Sequence, residues 1–337
     1  MPNLNKTNHP FSVQEKFVNN IFNGLKFKDY DAFSLCKFQY EFNKVYKDWC
    51  KVLNKEPSTV NELTDIAYLP ISFFKTHKVV CSDFEPEVVF TSSGTTQSIS
   101  SKHFVKDATL YRQSFIKAFE HFYGDIEEWC IIGLLPSYLE RTGSSLIMMV
   151  EEMIQLSNHK NSGFYLYEFD KLYDVLNEME RLQQKTLLIG VTFALLDFAE
   201  TYSMQLKYTT VMETGGMKGR RKELTRQEVH EILKRKLGIT SVHSEYGMTE
   251  LLSQAYSKGE GKFYCPSWMK VLVRDEEDPL TIKESGRGVL NIIDLANIYS
   301  CSFIATDDVG IVHEDGSFEV LGRRDNSDIR GCSLLVV

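Results

Sequence analysis

The sequence predicts an α/β fold: a mainly parallel sheet covered by helices, followed by a β-rich region. Two patterns carry that expectation. From residue 90 to about 243, short apolar runs alternate with longer stretches of helical spacing, as strands do when helices cross between them. After Gly261 the apolar runs shorten to strand length and are separated by glycines and acidic turns. A chain of 337 residues, 43% of them hydrophobic, is also large enough to bury a substantial core.

The elements follow in order. Residues 11–25 and 30–53 carry apolar side chains at helical spacing, with Phe38, Phe42, Val45 and Trp49 on a face suited to core packing. Val88, Val89 and Phe90 form a buried strand that feeds the hydroxyl-rich stretch Thr91-Ser92-Ser93-Gly94-Thr95-Thr96, and residues 107–123 read as a helix. Strands are expected at 129–135, 186–191 and 241–243, and helices at 171–184 and 225–237. Further strands are expected at 270–273, 289–293, 301–305 and 319–321. The chain therefore divides into a helical segment at 1–60, an α/β region at 61–260, a β-rich subdomain at 261–321 and a C-terminal tail at 322–337.

Two motifs carry chemistry. A loop with one glycine and several hydroxyls is able to wrap a polyphosphate, because glycine reaches backbone angles closed to other residues while hydroxyls and bare N–H groups donate to phosphate oxygens. Gly94 is not followed by Gly-Lys-Ser/Thr at the spacing of the common nucleotide loop, so a kinase-like or GTPase-like reading lacks support. Taken alone, such a loop is more often a solvated turn. The second motif is Ser244-Glu245-Tyr246-Gly247-Met248-Thr249-Glu250. A carboxylate beside a polyphosphate holds Mg2+ through oxygen, and a neighbouring hydroxyl donates to a phosphoryl group, so Glu250 is the metal candidate and Thr249 its partner. In isolation the same pair is an ordinary helix start.

Together the motifs resemble those of the adenylate-forming enzymes (acyl-CoA ligases, peptide-synthetase adenylation domains, luciferases) and, among them, the LuxE-type acyl-protein synthetases. The closer match lies in Leu69-Pro70-Ile71-Ser72-Phe73-Phe74-Lys75, in Leu134-Leu135-Pro136-Ser137-Tyr138-Leu139-Glu140-Arg141, in the run from Glu213 to Glu223, and in Gly322-Arg323-Arg324-Asp325. The resemblance implies the large N-terminal lobe of that superfamily, with ATP and Mg2+ as cofactors and a carboxylic acid, a fatty acid being the expected class, as substrate. It implies that Ser92, Ser93, Gly94, Thr95 and Thr96 line the phosphate loop, that Gly215 and Gly216 lie against the adenine, and that Tyr246 and Gly247 sit beside the nucleotide. Thr249 would meet the α-phosphate and Glu250 the magnesium. Asp308, with Asp307 as the alternative, would grip the ribose, Arg323 would reach the ribose or a phosphate, and Asp325 would mark a hinge.

The departures matter too. Gln97 stands where many relatives have a further glycine, and a basic residue comes only at Lys102. The chain stops at Val337, without the small domain whose lysine serves adenylation in longer relatives. Shortened chains of this kind resemble the acyl-protein synthetases, which are thought to carry the acyl group as a thioester on a C-terminal cysteine. Cys332, after Gly331 and near Arg330, fits that role; otherwise it is a small buried apolar residue. An acyl reductase or another acyl-accepting protein would be the partner. With a soluble thiol as acceptor, as in a CoA ligase, Cys332 would be incidental. A non-catalytic acyl-binding relative is the remaining reading, against which Thr249, Glu250 and Asp308 speak, since binding alone needs no metal carboxylate.

His103, after Lys102, and His243 are candidates for proton transfer, each with the alternative of a framework histidine. The apolar stretch at 146–150, with Phe104 and Tyr138, fits either an acyl tunnel or the core. A net charge of −8 and a pI near 5.6 argue against a nucleic-acid partner, although Lys218, Arg220, Arg221 and Lys222 form one basic cluster. Seven cysteines without paired spacing imply neither a disulfide framework nor a zinc site, and no apolar run is long enough to span a bilayer. A cytoplasmic protein is expected.

Overall fold

The computed structural model describes residues 20–24, 26–92, 99–135, 143–215 and 224–324. Most of the helix expected at 11–25 lies outside them. The helical run expected at 30–53 is two helices, Asp29–Phe42 (α1) and Lys44–Val52 (α2). Asn43 divides them. Its Oδ1 accepts the backbone N–H of Tyr46 at 3.0 Å, capping α2, while its amide donates to the Ser300 carbonyl at 2.9 Å. A side chain that satisfies both the new helix start and a distant strand outweighs continuous helical periodicity. Gln39 on the buried face of α1 donates to the carbonyls of Asn297 and Ile298, fastening this segment to the rest of the molecule. Phe38, Val45 and Trp49 pack half-buried against the core.

Leu69–Pro70 (β1) and the short helix Phe73–Thr76 (α3) lead to an antiparallel hairpin of Val88–Thr91 (β2) and Lys102–Val105 (β3), with Thr91 opposite Lys102. The helix expected at 107–123 is Ala108–Tyr123 (α4), capped by Asp107 accepting the Thr109 N–H. There follow Cys130–Leu134 (β4), Ser145–Ser157 (α5), Gly163–Phe164 (β5), Phe169–Leu182 (α6), Thr186–Val191 (β6), Thr192–Thr201 (α7), Thr209–Thr214 (β7), Arg226–Leu237 (α8), His243–Tyr246 (β8) and Ala255–Ser257 (β9). The sheet order is β5-β4-β6-β7-β8-β9, parallel except for β9 at the edge. Every residue of β4 and β6 is buried, which is why these strands read as continuous apolar runs. β7 gave no such signal, because it mixes threonines and Glu213 with Val211 and Met212. Residues 146–150 form early turns of α5, with Met149 and Val150 buried and the others half-buried.

The β-rich part holds Lys262–Phe263 (β10), Met269–Arg274 (β11), Ile282–Lys283 (β12), Gly286–Asp294 (β13), Phe303–Val312 (β14) and Phe318–Arg323 (β15). They form an antiparallel sheet in the order β10-β15-β14-β13-β11-β12, to which β1 adds a parallel partner, Leu69 opposite Ile304. Asp307 and Asp308 both lie within β14. The strand passes through them by way of a bulge. Asn291 pairs with Ala305 and Val289 with Val309, so Leu290 alone faces Thr306, Asp307 and Asp308. Among the described residues no helix is long and apolar enough to cross a membrane.

Candidate active site

Polar groups gather at the C-terminal ends of the parallel strands, where sheets of this class bind ligands. β7 ends in Glu213 and Thr214, followed by Gly215 at φ +69, whose exposed turn places its carbonyl 2.9 Å from the donating Thr192 hydroxyl. Glu213 is buried. Its carboxylate accepts from Ser244 at 3.0 Å, lies 2.9 Å from His230 Nε2 and 3.4 Å from Arg226 Nε. Burial pushes its pKa up, but His230, Arg226 and Ser244 together outweigh burial and hold it below the ordinary value. Glu245, on the neighbouring strand, has fewer partners. The Thr214 hydroxyl donates to it at 2.5 Å, and burial raises its pKa to about 7. A Cβ on Gly247 would lie 2.4 Å from Glu245 Oε1, so the glycine makes room for that carboxylate.

Tyr246 points the other way, toward the antiparallel sheet. Its hydroxyl donates to Asp308 Oδ2 at 2.8 Å, and its ring stands edge-on to Phe263 and Phe318. Arg323, opposite Asp308 in the strand register, brings Nε to 3.6 Å from Asp308 Oδ1 with most of its side chain in solvent. Burial raises the Asp308 pKa, opposed by Tyr246 and Arg323. Three residues from separate regions of the sequence thus meet across the two sheets. Asp307 uses its carbonyl instead, accepting the Arg324 N–H at 2.8 Å.

A second cluster joins the hairpin to the Thr249-Glu250 pair. His103 is buried, with Nδ1 2.9 Å from the Thr249 carbonyl and Nε2 3.0 Å from Asn297 Oδ1. The Asn297 amide donates to the Glu250 carbonyl at 2.8 Å. Both ring nitrogens therefore face acceptors, which only an imidazolium serves in full, while burial lowers the His103 pKa to about 4. The neutral ring serves one of them. The Glu250 carboxyl is buried, which raises its pKa against the Ser101 hydroxyl and the charges of Arg323 and Lys75. Ser92 and Ser101 close the base of the hairpin loop: the Ser92 N–H donates to the Ser101 carbonyl at 3.1 Å, and the Ser101 N–H to Ser92 Oγ at 2.9 Å. Lys102 begins β3 and is exposed. His243 lies beside Tyr123 with the two rings tilted, and its Nδ1 is 3.1 Å from the Tyr123 hydroxyl.

Ser93, Gly94, Thr95, Thr96, Gly216, Asp325 and Cys332 lie outside the described residues, as do Tyr138 and the basic cluster from Lys218 to Lys222. Among the described residues no three His, Cys, Asp or Glu side chains are placed to hold a metal ion. Glu250 offers one buried carboxylate. A single donor of that kind fits Mg2+, which takes most of its ligands from phosphate and water. The motif reading assigns no role to Ser101, Asn297 or Glu213, although Glu213 opens one of the matching runs. Ser101 adjoins Lys102 and was within reach of the motif argument, whereas nothing local marks Asn297.

A family model described as "Acyl-protein synthetase, LuxE" matches residues 8–337. The chain belongs to that family. Two similar curated proteins are long-chain-fatty-acid–luciferin-component ligases, from Vibrio harveyi and Aliivibrio fischeri. Each is 22% identical, with 88% of this chain and 84% of the relative aligned. Acyl-protein synthetases are ATP-dependent ligases of the adenylate-forming kind, and the solved structures agree in fold. ATP-bound MatB from Rhodopseudomonas palustris matches with TM-score 0.54 and 17% identity over 72% of this chain, which spans 49% of MatB. A 2-hydroxyisobutyryl-CoA ligase matches with TM-score 0.58 and 10% identity over 97% of this chain and 72% of that one. The chain thus spans about half the length of MatB, and the likeness is to the large N-terminal lobe of these ligases.

Proposed function

We propose that this acyl-protein synthetase uses ATP and Mg2+ to convert a carboxylic acid, with a fatty acid as the expected class, into its acyl-adenylate and passes the acyl group to a cysteine thiol. In the first step a carboxylate oxygen of the acid attacks the α-phosphorus and pyrophosphate leaves. In the second a thiolate attacks the acyl carbonyl and AMP leaves. The observation that carries the reading is the Tyr246–Asp308 bond, with Arg323 beside it, which joins the Tyr-Gly-Met-Thr-Glu motif to the aspartate assigned to the ribose.

In this reading Ser92, Ser93, Gly94, Thr95 and Thr96 hold the phosphates, Gly215 and Gly216 flank the adenine, and Asp308 takes the ribose hydroxyls. Magnesium, when bound, offsets phosphate charge. Glu250 is the oxygen donor toward it, and Thr249 donates its hydroxyl to the α-phosphate. Thr249 is held by its own carbonyl through His103, and Asn297 holds Glu250 in the same way, so His103 acts by positioning. Cys332 is the proposed acyl carrier and an acyl reductase or other acyl-accepting protein the proposed recipient. A cytoplasmic setting suits this chemistry.

Glu250→Gln and Asp308→Ala test the assignment by acid-dependent pyrophosphate exchange. Glu250→Gln keeps the shape but removes a charged oxygen donor, so kcat is expected to fall about 100-fold. Asp308→Ala is expected to raise the KM for ATP more than it lowers kcat. Near-normal kinetics in both variants would mean that the motifs are misassigned.

A further inference from the structure

Asp308 reaches its place through an irregular piece of strand, and one buried side chain holds that irregularity together. Where Leu290 alone faces Thr306, Asp307 and Asp308, the ladder leaves backbone carbonyls without strand partners. Arg274, at the end of β11 and one strand removed, reaches across β13 to supply donors. Its Nη1 donates to the Leu290 carbonyl at 3.1 Å and to Asn291 Oδ1 at 2.7 Å, and its Nη2 donates to the Thr306 carbonyl. Thr306 completes the arrangement: its hydroxyl donates to the Leu290 carbonyl at 2.8 Å and accepts the backbone N–H of Asp308 at 3.1 Å. Gly310 permits the close approach, since a Cβ there would lie 2.8 Å from a Leu290 methyl and 2.2 Å from the Glu319 carbonyl.

We infer that Arg274 is a positioning residue for nucleotide binding, acting through Thr306 to hold the bulge that presents the Asp308 carboxylate. The inference rests on the reading that Asp308 takes the ribose. The residue type suits the task. A planar guanidinium serves several acceptors in fixed directions, whereas a lysine ammonium is a point charge on a flexible stem. No acidic side chain lies within ion-pair distance of Arg274 among the described residues, so its hydrogen bonds end on two carbonyls and an amide. Burial lowers its pKa to about 10, opposed by the attraction of Asp307, and the group remains charged at neutral pH. A buried cation spent on backbone carbonyls is costly to keep, and here its placement coincides with the strand defect behind Asp308.

The test is a set of variants in the full chain, read by pyrophosphate exchange with ATP and acid concentrations varied separately and by calorimetric titration with ATP. Arg274→Gln is expected to raise the KM for ATP at least tenfold, with kcat and the KM for the acid within about threefold of wild type. Arg274→Lys should recover part of the loss. In Arg274→Gln/Asp308→Ala the KM for ATP should match that of Asp308→Ala alone, because one residue acts through the other. Should Arg274→Gln not fold, Thr306→Val removes the hydroxyl link while leaving the charge in place, and the same rise in KM for ATP is expected. Multiplying effects in the double variant, or equal losses in the KM for the acid and for ATP, would overturn the inference while leaving the nucleotide assignment intact. If Asp308→Ala itself leaves ATP binding unchanged, the assignment of the ribose site fails and this inference fails with it.

Discussion

The two large sheets solve different problems. In strands β4, β6 and β7 of the parallel sheet the interior is apolar: Ile131, Ile132, Leu187, Leu188, Ile189 and Val211 are fully buried, and the buried polar groups of these strands stand toward their ends, with Thr186 and Thr209 at entry and Glu213 and Thr214 at exit. In the antiparallel sheet and the segment between β13 and β14, polar side chains are buried within the body: Arg274, Asn291, Asp294, Asn297, Ser302 and Thr306. Apolar packing tolerates changes that conserve volume, whereas each member of a buried polar network depends on its partners. The first sheet is therefore a scaffold that carries motifs at its rim, and the second fixes the position of one carboxylate through directed bonds.

The strongest way to break this contrast is Asp294→Ala. Asp294 accepts the backbone N–H groups of Leu252, Ser253 and Ala296 and the Ser253 hydroxyl, all in the interior. Losing it leaves several buried donors without acceptors, at a cost of about 3 kcal/mol or more. Because these donors begin just after Glu250, activity should fall along with the thermal midpoint. A variant that melts like wild type would show that the network contributes little.

Leu188→Ala probes the other side. A fully buried leucine lost from β6 is expected to cost about 2–5 kcal/mol in chemical denaturation. The KM for ATP of the folded fraction should stay near wild type. A large change in that KM would deny the parallel sheet its role as a passive scaffold.

The smallest effect concerns Glu245 at the rim. Its folded pKa is raised from an ordinary 4.5 to about 7, so the folded state holds the proton through that interval while the unfolded chain releases it. The contribution of Glu245 to stability is then greatest below pH 4.5 and declines as pH rises toward 7. Glu245→Gln should remove that part of the decline, matching wild type near pH 4.5 and exceeding it at pH 8. Denaturation curves with the same pH slope in both proteins would contradict this.

The same contrast explains what the sequence disclosed. Strands β4 and β6 were legible because burial on both faces leaves continuous apolar runs, and α4 and α8 because Asp107 and Thr225 mark their starts. β7 was not, since its threonines and Glu213 are buried only by virtue of partners far away in sequence. The break at Asn43 depends on Ser300, and Leu69 pairs with Ile304 in parallel, two contacts between residues far apart in the chain that no local pattern encodes. In the candidate site, Tyr246, Thr249, Glu250 and Asp308 stood out because they belong to short motifs. Arg274 and Asn297 did not, because a lone arginine at a strand end or an asparagine in a loop reads as solvent-facing until tertiary contacts are known.

Activation of an acid with ATP followed by transfer to a cysteine leaves a signature in intact-mass spectrometry of the full chain incubated with ATP, Mg2+ and a panel of carboxylic acids, with AMP and pyrophosphate measured alongside. Pyrophosphate exchange is expected with at least one acid, together with a mass gain of one acyl group that hydroxylamine removes. Cys332→Ser should abolish the mass gain and retain the exchange. A folded protein that supports no exchange with any acid in the panel and does not bind ATP would contradict the claim outright.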